Sequence, residues 1–155
     1  TIDPAIWEVA KQNKTPYILM HMQGDPATMQ QNPHYEDVVL DILKSLRDRV
    51  YALKQLDVLD VIIDPGFGFG KTLVQNYLLL AQLSAFRMLD CPILTGLSRK
   101  SMIYKLLETS PEEALNGTTA AHMVALQNGA KILRVHDVRE AVECITIYQQ
   151  WNKFK

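Results

Sequence analysis

The sequence predicts a parallel α/β domain in which one helix precedes four β-α units. Two observations predict it. Short apolar runs rich in β-branched residues begin at Pro16 (PYILMHM), Val58 (VLDVIID), Pro92 (PILTGL) and Lys131 (KILRVHD). Their starts lie roughly forty residues apart, the room that one strand, one helix and two loops require. Between them stand longer stretches whose apolar residues recur at three- and four-residue steps, the period of a helix with one buried face. Parallel strands joined in this way need right-handed crossovers and helices laid over the sheet. Every strand-to-helix loop then falls at the same end of the molecule.

The elements follow in order. Asp3-Pro4 opens a short helix ahead of the first strand, with the fixed φ of proline suited to a first turn. From Glu36 to Leu56, the residues Val39, Ile42, Leu43, Leu46, Val50 and Leu53 form one apolar stripe. Asn76 to Met88 is apolar at Leu79, Leu80, Leu83 and Phe86. In Ser110-Pro111-Glu112-Glu113, Ser110 reads as an N-cap, Pro111 as the first helical residue and Glu113 as the acid of a capping box. Asp137-Val138-Arg139-Glu140 repeats the cap-to-acid spacing before the last helix, whose apolar side includes Val142, Ile145 and Trp151.

Composition bounds the function. A chain of 155 residues, 48% hydrophobic and 21% charged, suits one ordinary globular domain spanning residues 1–155. A formal net charge of −1 offers no basic field for nucleic acid or an anionic membrane. No apolar run approaches the ~18 residues of a spanning helix, and no basic-then-apolar signal opens the chain. Cys91 and Cys144 stand far apart and are expected to stay reduced, so a cytoplasmic location is expected. His21, His34, His122 and His136 are too scattered for a zinc site, and no metal site is expected on the chain itself.

Four strand-to-helix loops hold the unusual chemistry. In Asp64-Pro65-Gly66-Phe67-Gly68-Phe69-Gly70-Lys71-Thr72, a carboxylate at the end of a buried strand requires partners. Alternating glycines let backbone approach a flat ligand, with Phe67 and Phe69 as walls. The ending Gly70-Lys71-Thr72 resembles a phosphate-binding P-loop, but Pro65 stands where that motif needs its first glycine. A carboxylate that merely caps a backbone turn is the plainer reading of Asp64. Ser98-Arg99-Lys100-Ser101 offers two cations and two hydroxyls, suited to an anion or a polar heterocycle, or else to a solvated basic turn. In Arg134-Val135-His136-Asp137, alternation puts Arg134 and His136 on one face. An arginine inside a buried strand needs an anion, a π-face or a buried acid. In Met20-His21-Met22-Gln23-Gly24-Asp25-Pro26 the methionines read as core filler and His21 as facing outward. No serine or cysteine nucleophile stands out.

Taken together, MHMQGDPATMQ, DPGFGFGK, GLSRKS and RVHD, in this order and at these intervals, resemble the dihydropteroate synthases, from about Pro16 to Trp151. The resemblance implies the C-terminal half, strands five to eight, of a TIM (β/α)8 barrel. It implies a transferase of folate synthesis that joins 6-hydroxymethyl-7,8-dihydropterin diphosphate to p-aminobenzoate, with loss of pyrophosphate. Carried over by position, Asp64 would accept from the pterin ring nitrogens, and Lys100 would donate to the ring. Arg134 would stack over the pterin, and Arg134 with His136 would hold the phosphates. Phe69, Gly70 and Ser101 would shape the aminobenzoate pocket, and Met20 would pack on the pterin. Lys100, Arg134 and His136 are the residues expected to assist catalysis. Mg2+ is expected for the complete enzyme, with its ligand in the first half of the barrel. The chain is expected to associate with that first half or with itself, and to be inactive alone. Sulfonamides, as aminobenzoate mimics, are expected inhibitors. A non-catalytic pterin-binding module and a nucleotide-phosphate-binding domain are the alternative readings.

Overall fold

The computed structural model describes residues 4–25, 28, 29, 31 and 33–155. Asp3, expected to open the first helix, and Pro26, Ala27 and Gln30 of the first loop lie outside the described residues. The order is α1 (Pro4–Asn13), β1 (Tyr17–Met20), α2 (Val38–Gln55), β2 (Val61–Asp64), α3 (Leu73–Ala81), a 3₁₀ segment (Leu83–Leu89), β3 (Ile93–Thr95), α4 (Ser101–Tyr104), α5 (Leu115–Gln127), β4 (Ala130–Leu133) and α6 (Val138–Asn152). The four strands are parallel and lie in sequence order, β1-β2-β3-β4. Sequential order with right-handed crossovers puts the helices on one face. Leu19, Ile63 and Ile93 point into the core that the helices cover. Their neighbours point to the other face, where Ile18 is 50% exposed.

The helices form where local chemistry tells them to start. At α2 the Asp37 carboxylate accepts from Val39 N at 2.9 Å and Leu40 N at 3.0 Å, which satisfies two amides that lack a partner in the first turn. The stripe Val38, Val39, Ile42, Leu46, Val50 and Leu53 is buried against the sheet. Thr72 and Gln75 make a reciprocal capping box at α3. The expected single helix from Asn76 to Met88 is divided, with α3 ending at Ala81 and the tighter 3₁₀ segment carrying Leu83 and Phe86 into the core.

Two helix starts differ from expectation for one reason. Ser110 does not cap a helix at Pro111; α5 begins at Leu115. Glu113 does reach back, accepting from Thr109 Oγ1 at 2.6 Å and Ser110 N at 3.4 Å. However, the Pro111 and Glu112 carbonyls turn to Arg99 Nη1, at 2.9 and 2.6 Å. Asp137 stands at the N-cap of α6, yet its carboxylate makes no cap bond. It holds the other edge of Arg99 instead, Nε to Oδ2 at 2.9 Å and Nη2 to Oδ1 at 2.8 Å. One guanidinium therefore engages both segments, through two carbonyls ahead of α5 and through the capping carboxylate of α6.

The face of α6 is also shifted from the expected one. Ala141 and Cys144 are buried, Ile145 is half-buried, and Val142 and Trp151 are 56% and 43% exposed. α6 packs on α5, where Cys144 Sγ approaches the Thr119 carbonyl at 3.7 Å, so small residues form the seam.

Leu46 is wholly buried, whereas Leu40 on the same helix is 48% exposed. Leu46→Ala should lower stability by about 2–5 kcal/mol, and Leu40→Ala by much less, as measured by urea unfolding.

Candidate functional site

Asp64 ends β2 on the face away from the helices, beside Met20 in the register with β1. Met20 is half-buried and Asp64 is 5% exposed. Asp64 Oδ1 accepts from Gly66 N at 2.8 Å, so the turn-capping reading is correct as far as one oxygen goes. Burial raises the pKa of the carboxyl, while the Gly66 amide and then Lys100, Arg134 and Lys71 pull it back down. Three cations from three loops thus act on one carboxylate. Gly66 is needed here because its φ is +73° and any Cβ would run into the His21 carbonyl at the end of β1.

Lys100, after β3, donates to the Phe67 carbonyl and lies 4.7 Å from the centre of the Phe69 ring. Burial brings its pKa down to about 8, opposed by the Asp64 carboxylate and reinforced by Arg134. Lys100 therefore remains mostly charged at neutral pH. Phe69 and Gly68 are half-buried beside it.

Arg134 lies one residue beyond β4, and its amide donates to the Thr95 carbonyl at 2.9 Å. Its side chain is exposed rather than sunk in a strand, and the buried Asp64 carboxylate feels its charge from the end of β4. It lies across Gly96, where a Cβ would stand 3.3 Å from the guanidinium Nε. His136 is exposed as well, and its amide points to Ser98 Oγ at 3.3 Å. Gly96, Ser98, Arg99, Lys100, Arg134 and His136 are among the residues lining a cavity of about 230 Å³, which contains the charges expected of an anion or heterocycle site. A cleft of about 500 Å³ lies at the opposite strand ends, around Lys14, Asp57 and Asp60, but it holds no comparable convergence of cations on a buried acid.

The expectations for Phe67 and His21 are corrected. Phe67 is fully buried in the helix-side core and cannot be a wall of the site. Arg99 also lines the cavity, but Asp137, Pro111 and Glu112 take its side-chain donors. Its backbone is left-handed, with a φ of 54°, and its amide donates to Thr118 Oγ1 at 3.0 Å. Ser101 opens α4 and does not line the cavity. Gly70 packs near Gln23, and its carbonyl accepts from Tyr35 Oη at 2.9 Å. His21 is buried rather than outward-facing.

In the sequence, Lys71 stands out only as the lysine of a P-loop-like ending that Pro65 already argues against. The structure turns it inward, 4% exposed, with Nζ donating to Gly66 O at 2.8 Å and Phe69 O at 3.0 Å. The P-loop reading therefore fails on geometry as well as on Pro65. A buried lysine requires several acceptors, and the glycine-rich turn supplies them; that pairing was the available signal.

Comparison with known proteins agrees with this geometry. Residues 1–136 match the model of the family described as pterin binding enzyme. The chain is 42% identical over 149 residues to the dihydropteroate synthase of Escherichia coli K12, covering 95% of this chain and 53% of that protein. The structure of Yersinia pestis dihydropteroate synthase with a sulfonamide drug complex superposes with a TM-score of 0.95 at 39% identity, covering 99% of this chain and 57% of that one. That of the Thermus thermophilus enzyme in complex with 4-aminobenzoate gives 0.92 at 37% identity, covering 96% and 61%. The chain thus spans little more than half the length of these relatives. With a matching family model over most of its residues and a parallel fold shared with these structures, the chain belongs to the pterin-binding enzyme family.

Proposed function

We propose that this chain is the C-terminal half, strands five to eight, of a dihydropteroate synthase barrel, and that it carries that enzyme's pterin and phosphate contacts. The observation that carries the reading is Asp64, a buried carboxylate facing Lys100 and Arg134 from neighbouring loops. A neutral pterin ring with several N–H donors needs such an acceptor. Asp64 still has one oxygen not committed to Gly66, and Lys100 can donate to the ring oxygen while Phe69 and Met20 enclose the ring. The relatives lend weight: a Thermus thermophilus structure holds 6HMPPP and another holds 4-aminobenzoate.

In the proposed reaction the amine nitrogen of p-aminobenzoate forms a bond to the exocyclic methylene carbon of the pterin. The carbon–oxygen bond to the diphosphate breaks, pyrophosphate leaves with the bonding pair, and the amine gives up a proton to solvent. Positive charge develops on the methylene and negative charge on the leaving group. Arg134 and His136 lie where fixed donors would stabilise the departing phosphates, and no protein nucleophile is required. Phe69, Gly70 and Ser101 are assigned to the aminobenzoate side by family resemblance. Mg2+ is assigned to the complete enzyme by family resemblance. Its ligand is assigned to the first half of the barrel. That half, or a second copy, would cover the open face where Ile18 is exposed and would pair the free strand edges. No helix among the described residues is long and apolar enough to cross a membrane, and a cytoplasmic site of action fits the substrates.

Asp64→Asn should weaken binding of a pterin by roughly 1.5–3 kcal/mol in calorimetry while leaving the far-UV spectrum unchanged. Undiminished binding would remove Asp64 from the site. Arg134→Leu should weaken the pterin diphosphate by about tenfold or more and the diphosphate-free pterin by less. Equal losses for both ligands would show that Arg134 does not contact phosphate.

A further inference from the structure

Lys71 is the least exposed lysine or arginine among the described residues, and the reaction described above makes no use of it. Three acceptors surround its Nζ: Gly66 O at 2.8 Å, Phe69 O at 3.0 Å and His21 Nδ1 at 3.3 Å. They match the three N–H bonds of an ammonium when Nδ1 carries its lone pair. His21 is suited to that part, since burial, then Lys71 and Arg49, bring its pKa down to about 3 and keep the ring neutral. The Gly66 peptide is held at both ends of the residue, its carbonyl by Lys71 and its amide by Asp64. Lys71 thereby ties the loop after β2 to the end of β1 and fixes the residue that orients Asp64.

Resting on the pterin-site reading above, we propose that Lys71 is a positioning residue of that site: its buried ammonium clamps the Asp64–Gly70 turn and places a third positive charge beside the Asp64 carboxylate without touching the ligand. The charged groups facing Asp64 are Lys100 from the loop after β3, Arg134 from the end of β4 and Lys71 from its own loop. Those facing Lys71 are Asp64 and Lys100, with His21 at its third donor and Arg49 of α2 acting on His21. Clamping and charge can be told apart. A clamp alone affects how well the turn is formed at every pH. A charge beside Asp64 also sets the pH at which the carboxylate protonates and ceases to accept from the ring.

The test is calorimetric titration with 6-hydroxymethylpterin across a pH series, on the parent protein, Lys71→Met and Asn76→Ala. Asn76 is the uncharged control, since its Oδ1 accepts from Gly68 N at 2.7 Å in the same loop. Binding to the parent falls as the pH drops through the Asp64 pKa. Losing a cation raises that pKa, so the acid limb of Lys71→Met should move to higher pH than the parent's. Asn76→Ala should weaken binding at all pH values with the limb unmoved. A limb in Lys71→Met that coincides with the parent's would overturn the proposal while leaving the pterin site standing. A parent that binds no pterin would overturn both. If Lys71→Met does not fold, the parent and Asp64→Asn carry the test by NMR of the lysine Nζ groups. A Lys71 ammonium protected from exchange, whose pKa falls in Asp64→Asn, supports the proposal; a freely exchanging one indifferent to Asp64 refutes it.

Discussion

The structure is organised around a carboxylate that the fold has removed from water. Asp64 sits at the end of a central strand, and burial alone would favour its neutral form. The neighbouring loops respond by supplying positive charge: Lys71 from its own loop, Lys100 from the loop after β3, and Arg134 from the end of β4. Each cation is in turn shaped by what it does for Asp64. Burial brings Lys71 down to about 7 and Lys100 down to about 8, and in both cases the Asp64 carboxylate opposes the fall. Charges of this kind stabilise a fold weakly in themselves, because desolvation offsets most of their attraction. Their value is organisational, since they set an acceptor among donors, the arrangement on which the proposed pterin site rests.

A second polar assembly holds the rim in place. Arg99 presents both edges of its guanidinium, one to Asp137 and one to the Pro111 and Glu112 carbonyls. Asp137 is held below the usual carboxylate range, chiefly by its hydrogen bonds to Arg99. The bidentate geometry couples the loop after β3 to the start of α6, and so couples Lys100 to Arg134 and His136. Adjacent residues in one sequence motif thus do different work: Arg99 braces the site while Lys100 faces it.

The β-α rhythm was legible because it depends on apolar periodicity, and α2 follows its stripe almost residue for residue. The loops were legible as places of chemistry because strand polarity gathers them at one end. What the sequence could not convey was which polar side chains would turn inward. Arg99 overrode the capping signal of Asp137 by taking its carboxylate, and it holds the Pro111 and Glu112 carbonyls where the sequence predicts a helix start, a competition between residues far apart in the chain. His21 was misread for the same reason, since its ring meets Lys71 of the next β-α unit, while Lys71 turns in to two carbonyls of its own loop as well. Arg134 escaped burial because β4 is an outer strand that ends one residue before it. Local spacing identifies candidates, while long-range hydrogen bonding decides among them.

The most direct test of the Asp64 site is a crystal structure of the protein with a bound pterin. The ring should lie between β2 and β4, with the oxygen of Asp64 not committed to Gly66 within about 2.7–3.2 Å of a ring N–H and Lys100 Nζ at the ring oxygen. A pterin seated elsewhere, or an Asp64 that bonds only to Gly66 while the ring is held by other groups, would contradict it.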